Sequence, residues 1–176
     1  MTDVQSWETF LTASDSDLFL LLDGAAIPSL WDAMHRVDGN ISCLALYLQT
    51  EFAELLEVSP YLAQISRRSP LLEEYRTNPL FTSAGMLFIS HESLQELKNR
   101  LTKIMTVRTP SYNEMFFRFY DPEVLDLLVR AREASLLDAV CGPAGYMAWF
   151  SQGRTDSHAP GTLTIYPAHR GNHADA

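Results

Sequence analysis

Asp23, Tyr120 and Cys141 are the side chains whose chemistry could turn over a substrate, and Arg118 is the one whose charge must be answered wherever it sits. Arg118 stands inside Phe116-Phe117-Arg118-Phe119-Tyr120-Asp121-Pro122, four aromatic residues in five positions followed by an aspartate and a proline. Aromatic residues favour a pleated strand, whose alternation sets Phe117 and Phe119 on one face and Phe116, Arg118 and Tyr120 on the other. A guanidinium held there is expected to be largely buried. Left unpaired it would cost several kcal/mol, so a carboxylate such as Asp23 or Asp121 is expected within reach. Asp23 closes an apolar run beside Gly24, at the carboxyl end of a strand, where α/β proteins place functional groups. Its expected work is to cap the turn that follows or to form a structural ion pair with Arg118. The competing chemistry is a small cytoplasmic hydrolase or transferase that uses Asp23 with Tyr120 or Cys141 in a cleft.

Other catalytic frames are missing from the chain. None of the five histidines stands in an HxxxH or HExxH frame, so no metal site is expected. His91 precedes a helix and reads as a surface or capping residue, while His158, His169 and His173 fall in a polar tail. No GxSxG elbow is present, and neither cysteine has a histidine beside it in sequence. Cys43 and Cys141 lie in apolar surroundings and are expected to be reduced, buried and inert. Gly142-Pro143-Ala144-Gly145 has neither the lysine nor the length of a phosphate-binding loop. The expectation is therefore a protein with no catalytic residue, no metal and no cofactor.

The elements that must position these residues follow from spacing. Trp7, Phe10 and Leu11 predict a short amphipathic helix, and the continuous run Leu18 to Leu22 predicts a strand buried on both faces. A helix from about Pro28 to Val37, a second buried strand from Ile41 to Leu48 and a short acidic helix from Glu51 to Val58 come next, the last with Phe52, Leu55 and Leu56 inward. Ser59-Pro60 ends it. Tyr61 to Ile65 and Gly85 to Ser90 read as strands, Pro70 to Tyr75 and Ser90 to Met105 as helices. Thr109 to Asn113 reads as a hairpin turn leading into an aromatic strand over 114–120. Asp121-Pro122 then reads as an N-cap with proline at the first helical position, opening helical pieces over Pro122 to Ala131 and Glu133 to Val140. Tyr146 to Ser151 forms a last strand. The fold class expected is α/β: a compact domain over residues 1–151 with a mixed, mostly buried sheet flanked by helices, then a polar tail over 152–176 in which Thr162 to Tyr166 could add an edge strand.

Composition excludes several functions. With 176 residues, 47% hydrophobic and 11% aromatic, the chain suits one packed domain. Twenty-two acids against 13 Lys plus Arg give a formal charge of −9, a surface expected to repel nucleic acid and anionic lipid. The apolar runs are too short for a membrane helix, and MTDVQSWETF lacks the basic start and apolar core of a signal peptide, so a cytoplasmic location is expected.

One segment carries a resemblance. Residues 116–125, FFRFYDPEVL, resemble the FRFYDP signature of the bacterial type VI secretion effector chaperones, adaptors that carry a toxic effector to the spike of the secretion apparatus. Leu20-Leu21-Leu22-Asp23-Gly24-Ala25, Ser59-Pro60-Tyr61-Leu62, Gly85 to Ser90 and Gly142-Pro143 fall in the order that family shows. The resemblance covers about residues 15 to 150. Two departures stand out: Glu123 occupies a position where many members carry arginine, and the sizeable C-terminal extension that many members carry is not expected here. The resemblance implies a non-enzymatic chaperone and adaptor that binds an effector through its N-terminal or spike-proximal segment and promotes its loading onto the valine-glycine repeat spike protein. On that reading Phe117, Tyr120, Asp121 and Pro122 are the expected partner contacts.

Overall fold

The computed structural model describes residues 7–108, 111, 113–143, 145–151 and 161–167. Strand β1 (Asp17–Leu22) carries the uninterrupted apolar run, and Leu18 to Leu22 are all essentially inaccessible to solvent. A strand of that composition is stable only with cover on both faces, and it sits inside a six-stranded sheet. The other strands of that sheet are β2 (Ser42–Ala45), β3 (Tyr61–Ile65), β4 (Gly85–Ser90), β7 (Tyr146–Ser151) and β8 (Thr162–Pro167). Their order is β2-β3-β1-β4-β7-β8, while β5 (Thr106–Arg108) and β6 (Glu114–Phe116) form a separate two-stranded ribbon. Every described pairing is antiparallel, from Leu20 opposite Ala63 and Leu87 in the centre to Trp149 opposite Thr164 near the edge. Runs buried on both faces arise wherever helices cover both sides of a sheet, so composition alone carries no record of strand direction.

Alternation along β1 divides the core into two layers. Leu18, Leu20 and Leu22 pack with Phe10, Leu30, Met34, Leu71, Leu72, Tyr75 and Phe81, contributed by α1 (Trp7–Leu11), α2 (Leu30–Val37), α3 (Pro70–Thr77) and α4 (Pro79–Thr82). Phe19 and Leu21 face the opposite layer, where Leu97, Leu101, Leu125, Leu128, Leu137 and Val140 arrive from α5 (Leu94–Lys103), α6 (Pro122–Ala131) and α7 (Ala134–Cys141). The result is the single α/β domain with a largely buried sheet between helices. Helix starts are encoded locally: Ser93 and Glu96 close a reciprocal capping box on α5, and Asp121 Oδ1 accepts from Glu123 N at 3.0 Å with Pro122 in the first turn of α6.

Three expectations are corrected. The second buried strand is only Ser42–Ala45, and it is half-exposed because it forms the edge of the sheet. The acidic helix is a 3₁₀ run, Ala53–Val58, with no buried residue. The backbone departs from helical angles at Leu55 (φ −98°, ψ 22°), where two short turns meet, and there Leu56 is half-buried while Leu55 stands in solvent. The aromatic strand stops at Phe116. Phe119 and Tyr120 enter the same core layer, which successive strand residues cannot do, and the backbone turns there with Asp121 N donating to Arg118 O at 3.1 Å.

Candidate partner-binding site

The segments singled out in the sequence meet at the end of β1. Asp23 N donates to Ala84 O at 2.7 Å, its carbonyl accepts from Ile27 N at 3.1 Å, and its Oδ1 accepts from Ala25 N at 2.9 Å. Its remaining oxygen, Oδ2, accepts from Arg118 Nη2. The carboxylate is buried, but the Arg118 side chain is 44% exposed, so the expectation of a largely buried guanidinium is corrected: the arginine reaches inward from the surface to neutralise Asp23. Residence at a turn rather than in a buried strand is what leaves the side chain partly in water. Partial burial works against the Arg118 charge, but the Asp23 carboxylate outweighs it and holds the guanidinium pKa above its ordinary value. Arg118 Cζ also lies 5.8 Å from the centroid of the Tyr120 ring.

Tyr120 faces inward. It is 1% exposed, and its hydroxyl lies 2.9 Å from that of Tyr47, also buried. Burial, reinforced by the bond to Tyr47, pushes the Tyr120 phenol far above its ordinary range, so it is neutral at physiological pH. Tyr47 N donates to Ser59 Oγ at 3.0 Å, and that hydroxyl donates to Pro60 O at 3.0 Å. Gly24 completes the junction. A Cβ at that position would land inside contact distance of the Ser59 carbonyl oxygen and 3.0 Å from the Val58 carbonyl carbon, so only glycine lets the two backbones approach. Asp23-Gly24, Tyr47, Ser59-Pro60 and Arg118 to Tyr120 are therefore one interlocked knot, drawn from four places in the chain.

Of the residues expected to contact a partner, Tyr120 and Pro122 are buried, so neither side chain lies at the surface. Phe117 and Asp121 are half-buried, with Phe117 N donating to Met105 O at 2.7 Å. What sequence reading passed over lies beside them. Phe116, Met115 and Leu55 are 40%, 55% and 52% exposed, and Phe116 meets Phe52 edge to face with ring centroids 4.9 Å apart. The signal was available as a recurrence of three, Phe52, Leu55 and Val58, the period of a 3₁₀ rather than an α-helical face.

The groups named for turnover are occupied elsewhere. Cys141 is buried, with Sγ directed at Gly145 O (3.5 Å) and Tyr166 O (3.6 Å), and burial raises its pKa to about 12. Burial raises Cys43 to about 11. At pH 8 both thiols of the folded protein are expected to react with iodoacetamide on the order of a hundredfold more slowly than those of the unfolded chain. Rates equal to those of the unfolded chain would contradict the burial of Cys141 and the half-burial of Cys43. His91 has Nδ1 3.0 Å from Ser16 Oγ, and His158, His169 and His173 lie outside the described residues. Among the described residues no group of three His, Cys, Asp or Glu side chains could hold a metal ion, and no helix is long and apolar enough to cross a membrane.

Comparison with known proteins gives two matches and one blank. A family model described as domain of unknown function DUF4123 matches residues 18–139, a stretch that contains the whole knot. The accessory protein VasW of Vibrio cholerae serotype O1 (strain ATCC 39315 / El Tor Inaba N16961) is 30% identical over 132 residues, covering 72% of this chain. The chain spans 43% of that relative's length. No solved structure matches.

Proposed function

The chain belongs to the DUF4123 family, and on that premise we propose that it is a non-enzymatic chaperone and adaptor of type VI secretion, which binds an effector and promotes its loading onto the valine-glycine repeat spike protein. The observation that carries this reading is the use made of the FRFYDP segment. Its Arg118 guanidinium is engaged by the buried Asp23 carboxylate, its Tyr120 hydroxyl by Tyr47 and its Asp121 carboxylate by the first turn of α6, and its outer neighbours present apolar side chains to solvent. Such a site can supply affinity by covering a partner's apolar surface, with no proton or nucleophile to give. The FRFYDP resemblance and the kinship with an accessory protein point the same way. Phe117 and Asp121 are the members of the segment placed to touch a client, and Tyr120 and Pro122 hold the surface from beneath. The work is assigned to the cytoplasm, before export, on an effector's N-terminal or spike-proximal segment.

Co-expression with the product of the adjacent open reading frame tests the reading. The expected result is more soluble effector, a stable complex on co-purification, and recruitment of the spike protein by that complex. An effector equally soluble without this chain, and absent from the purified protein, would overturn it.

A further inference from the structure

Between Arg36 and Arg67 the chain carries no lysine, arginine or histidine, and its ionisable charges there are Asp38, Glu51, Glu54 and Glu57. The last three belong to the 3₁₀ run and the residues leading into it. Bonds from Ala53 N to Thr50 O, Leu55 N to Phe52 O and Ser59 N to Leu56 O wind the backbone at three residues per turn, in two turns that meet at Leu55. Phe52, Leu55 and Val58 recur at that interval as an apolar row and Glu51, Glu54 and Glu57 as an acidic one, with Leu55, Val58 and the three glutamates exposed around the kink at Leu55. The apolar row continues onto the β5–β6 ribbon through the Phe52–Phe116 contact, and the acidic row touches it where Thr106 Oγ1 donates to Glu51 Oε1 at 3.5 Å. Among the described residues none of these three glutamates forms an ion pair, whereas Glu114 on the ribbon is paired with Arg108 at 3.0 Å. Lys98, which reaches the segment by donating to Leu48 O at 2.8 Å, is itself buried.

We propose that this shelf, Phe52, Leu55, Val58, Met115 and Phe116 with the glutamate row beside them, is the client-contact surface and takes a basic amphipathic segment that spaces large apolar side chains with lysine or arginine. The proposal rests on the adaptor reading above and adds to it the place and chemistry of contact. Charge selects the occupant. Apolar burial supplies affinity without direction, and three glutamates with no internal cation favour a segment that brings its own. A second copy of this chain docked by a two-fold axis would bring no cation to the acidic row, and anionic lipid or nucleic acid would meet its repulsion.

The test uses the full chain and two labelled synthetic peptides of identical leucine and tryptophan pattern, one carrying lysine on its polar face and the other glutamate. In anisotropy titrations at low salt the lysine peptide binds and the glutamate peptide does not, and added salt weakens the first. Glu51→Gln, Glu54→Gln and Glu57→Gln together weaken the lysine peptide about tenfold and flatten its salt dependence. Leu55→Ser with Phe116→Ser weakens it by about tenfold or more, while Leu127→Ser, at an exposed leucine of α6 outside the shelf, leaves it unchanged. Equal binding of the two peptides, an equal loss in Leu127→Ser, or a dimer in sedimentation that Leu55→Ser dissolves would overturn the proposal. Pull-down of the effector separates the two readings. An effector retained equally by wild type and by the shelf variants sinks the shelf and leaves the adaptor standing, whereas an effector never retained by wild type sinks the adaptor, with the peptide titrations still deciding the shelf.

Discussion

Tyr120→Ala is expected to lower the unfolding free energy by about 4 kcal/mol, the scale of deleting a fully buried aromatic side chain and leaving its cavity. The ring is 1% exposed and packs edge to face on Phe119, with centroids 5.4 Å apart, in the layer that covers the α5 to α7 face of the sheet. The substitution also strands the Tyr47 hydroxyl, whose bond to Tyr120 ties the loop after β2 to the FRFYDP turn. Tyr120→Phe keeps the ring and loses only that bond, so its expected cost is about 1 kcal/mol. Urea denaturation of the two variants beside wild type measures both. Equal and small losses would mean that the ring lies in solvent and that Tyr120 is, after all, free to contact a partner. The distinction governs every binding experiment at this position, because loss of a client in Tyr120→Ala is expected from unfolding alone.

Gly24→Ala carries the second large effect, about 3 kcal/mol from a single methyl group. The new Cβ meets the backbone of Val58 and Ser59, not the end of a flexible side chain, so the Asp23 turn and the Ser59-Pro60 turn must move apart. Asp23 is bonded at its N–H, its carbonyl and both carboxylate oxygens, and Ser59 holds Tyr47 N, which leaves little slack to absorb that movement. Gly39→Ala is the internal comparison: its nearest neighbour would be His35 O at 3.8 Å, so its stability is expected to stay within about 0.5 kcal/mol of wild type. Thermal melts that rank the two alanine variants together would remove the argument that Gly24 exists for close approach.

The knot and the shelf are coupled in this structure. Val58 is both the exposed end of the apolar row and the residue whose carbonyl carbon crowds Gly24, and Phe116 is the last strand residue before the turn that carries Arg118 and Tyr120. A change inside the knot therefore reaches the outer surface through the backbone, which is why point variants at a client surface are best placed on exposed side chains.

Most of the architecture was legible in residue order because it is decided locally. Leu18 to Leu22, Gly85 to Ser90 and Tyr146 to Ser151 are apolar runs that must be buried strands in any fold able to cover them, and Ser93, Glu96 and Asp121-Pro122 start their helices with bonds to residues two or three positions away. The pairing of Arg118 with Asp23 could be named as one of two options, since a guanidinium beside an apolar core needs a carboxylate and the candidates were few. Tertiary structure alone decided the rest. Strand direction depends on how the connections run and not on which residues the strands contain. The end of the aromatic strand at Phe116 depends on a core layer that accepts Phe119 and Tyr120 together, a preference stronger than the strand propensity of either residue. The exposure of Leu55 and Phe116 depends on a 3₁₀ winding and on a ribbon standing apart from the main sheet, and both are set by neighbours distant in the chain. Sequence by itself determined which residues had to be buried or paired; only the assembled fold determined which apolar residues were left outside, because that depends on how much surface the rest of the chain can cover.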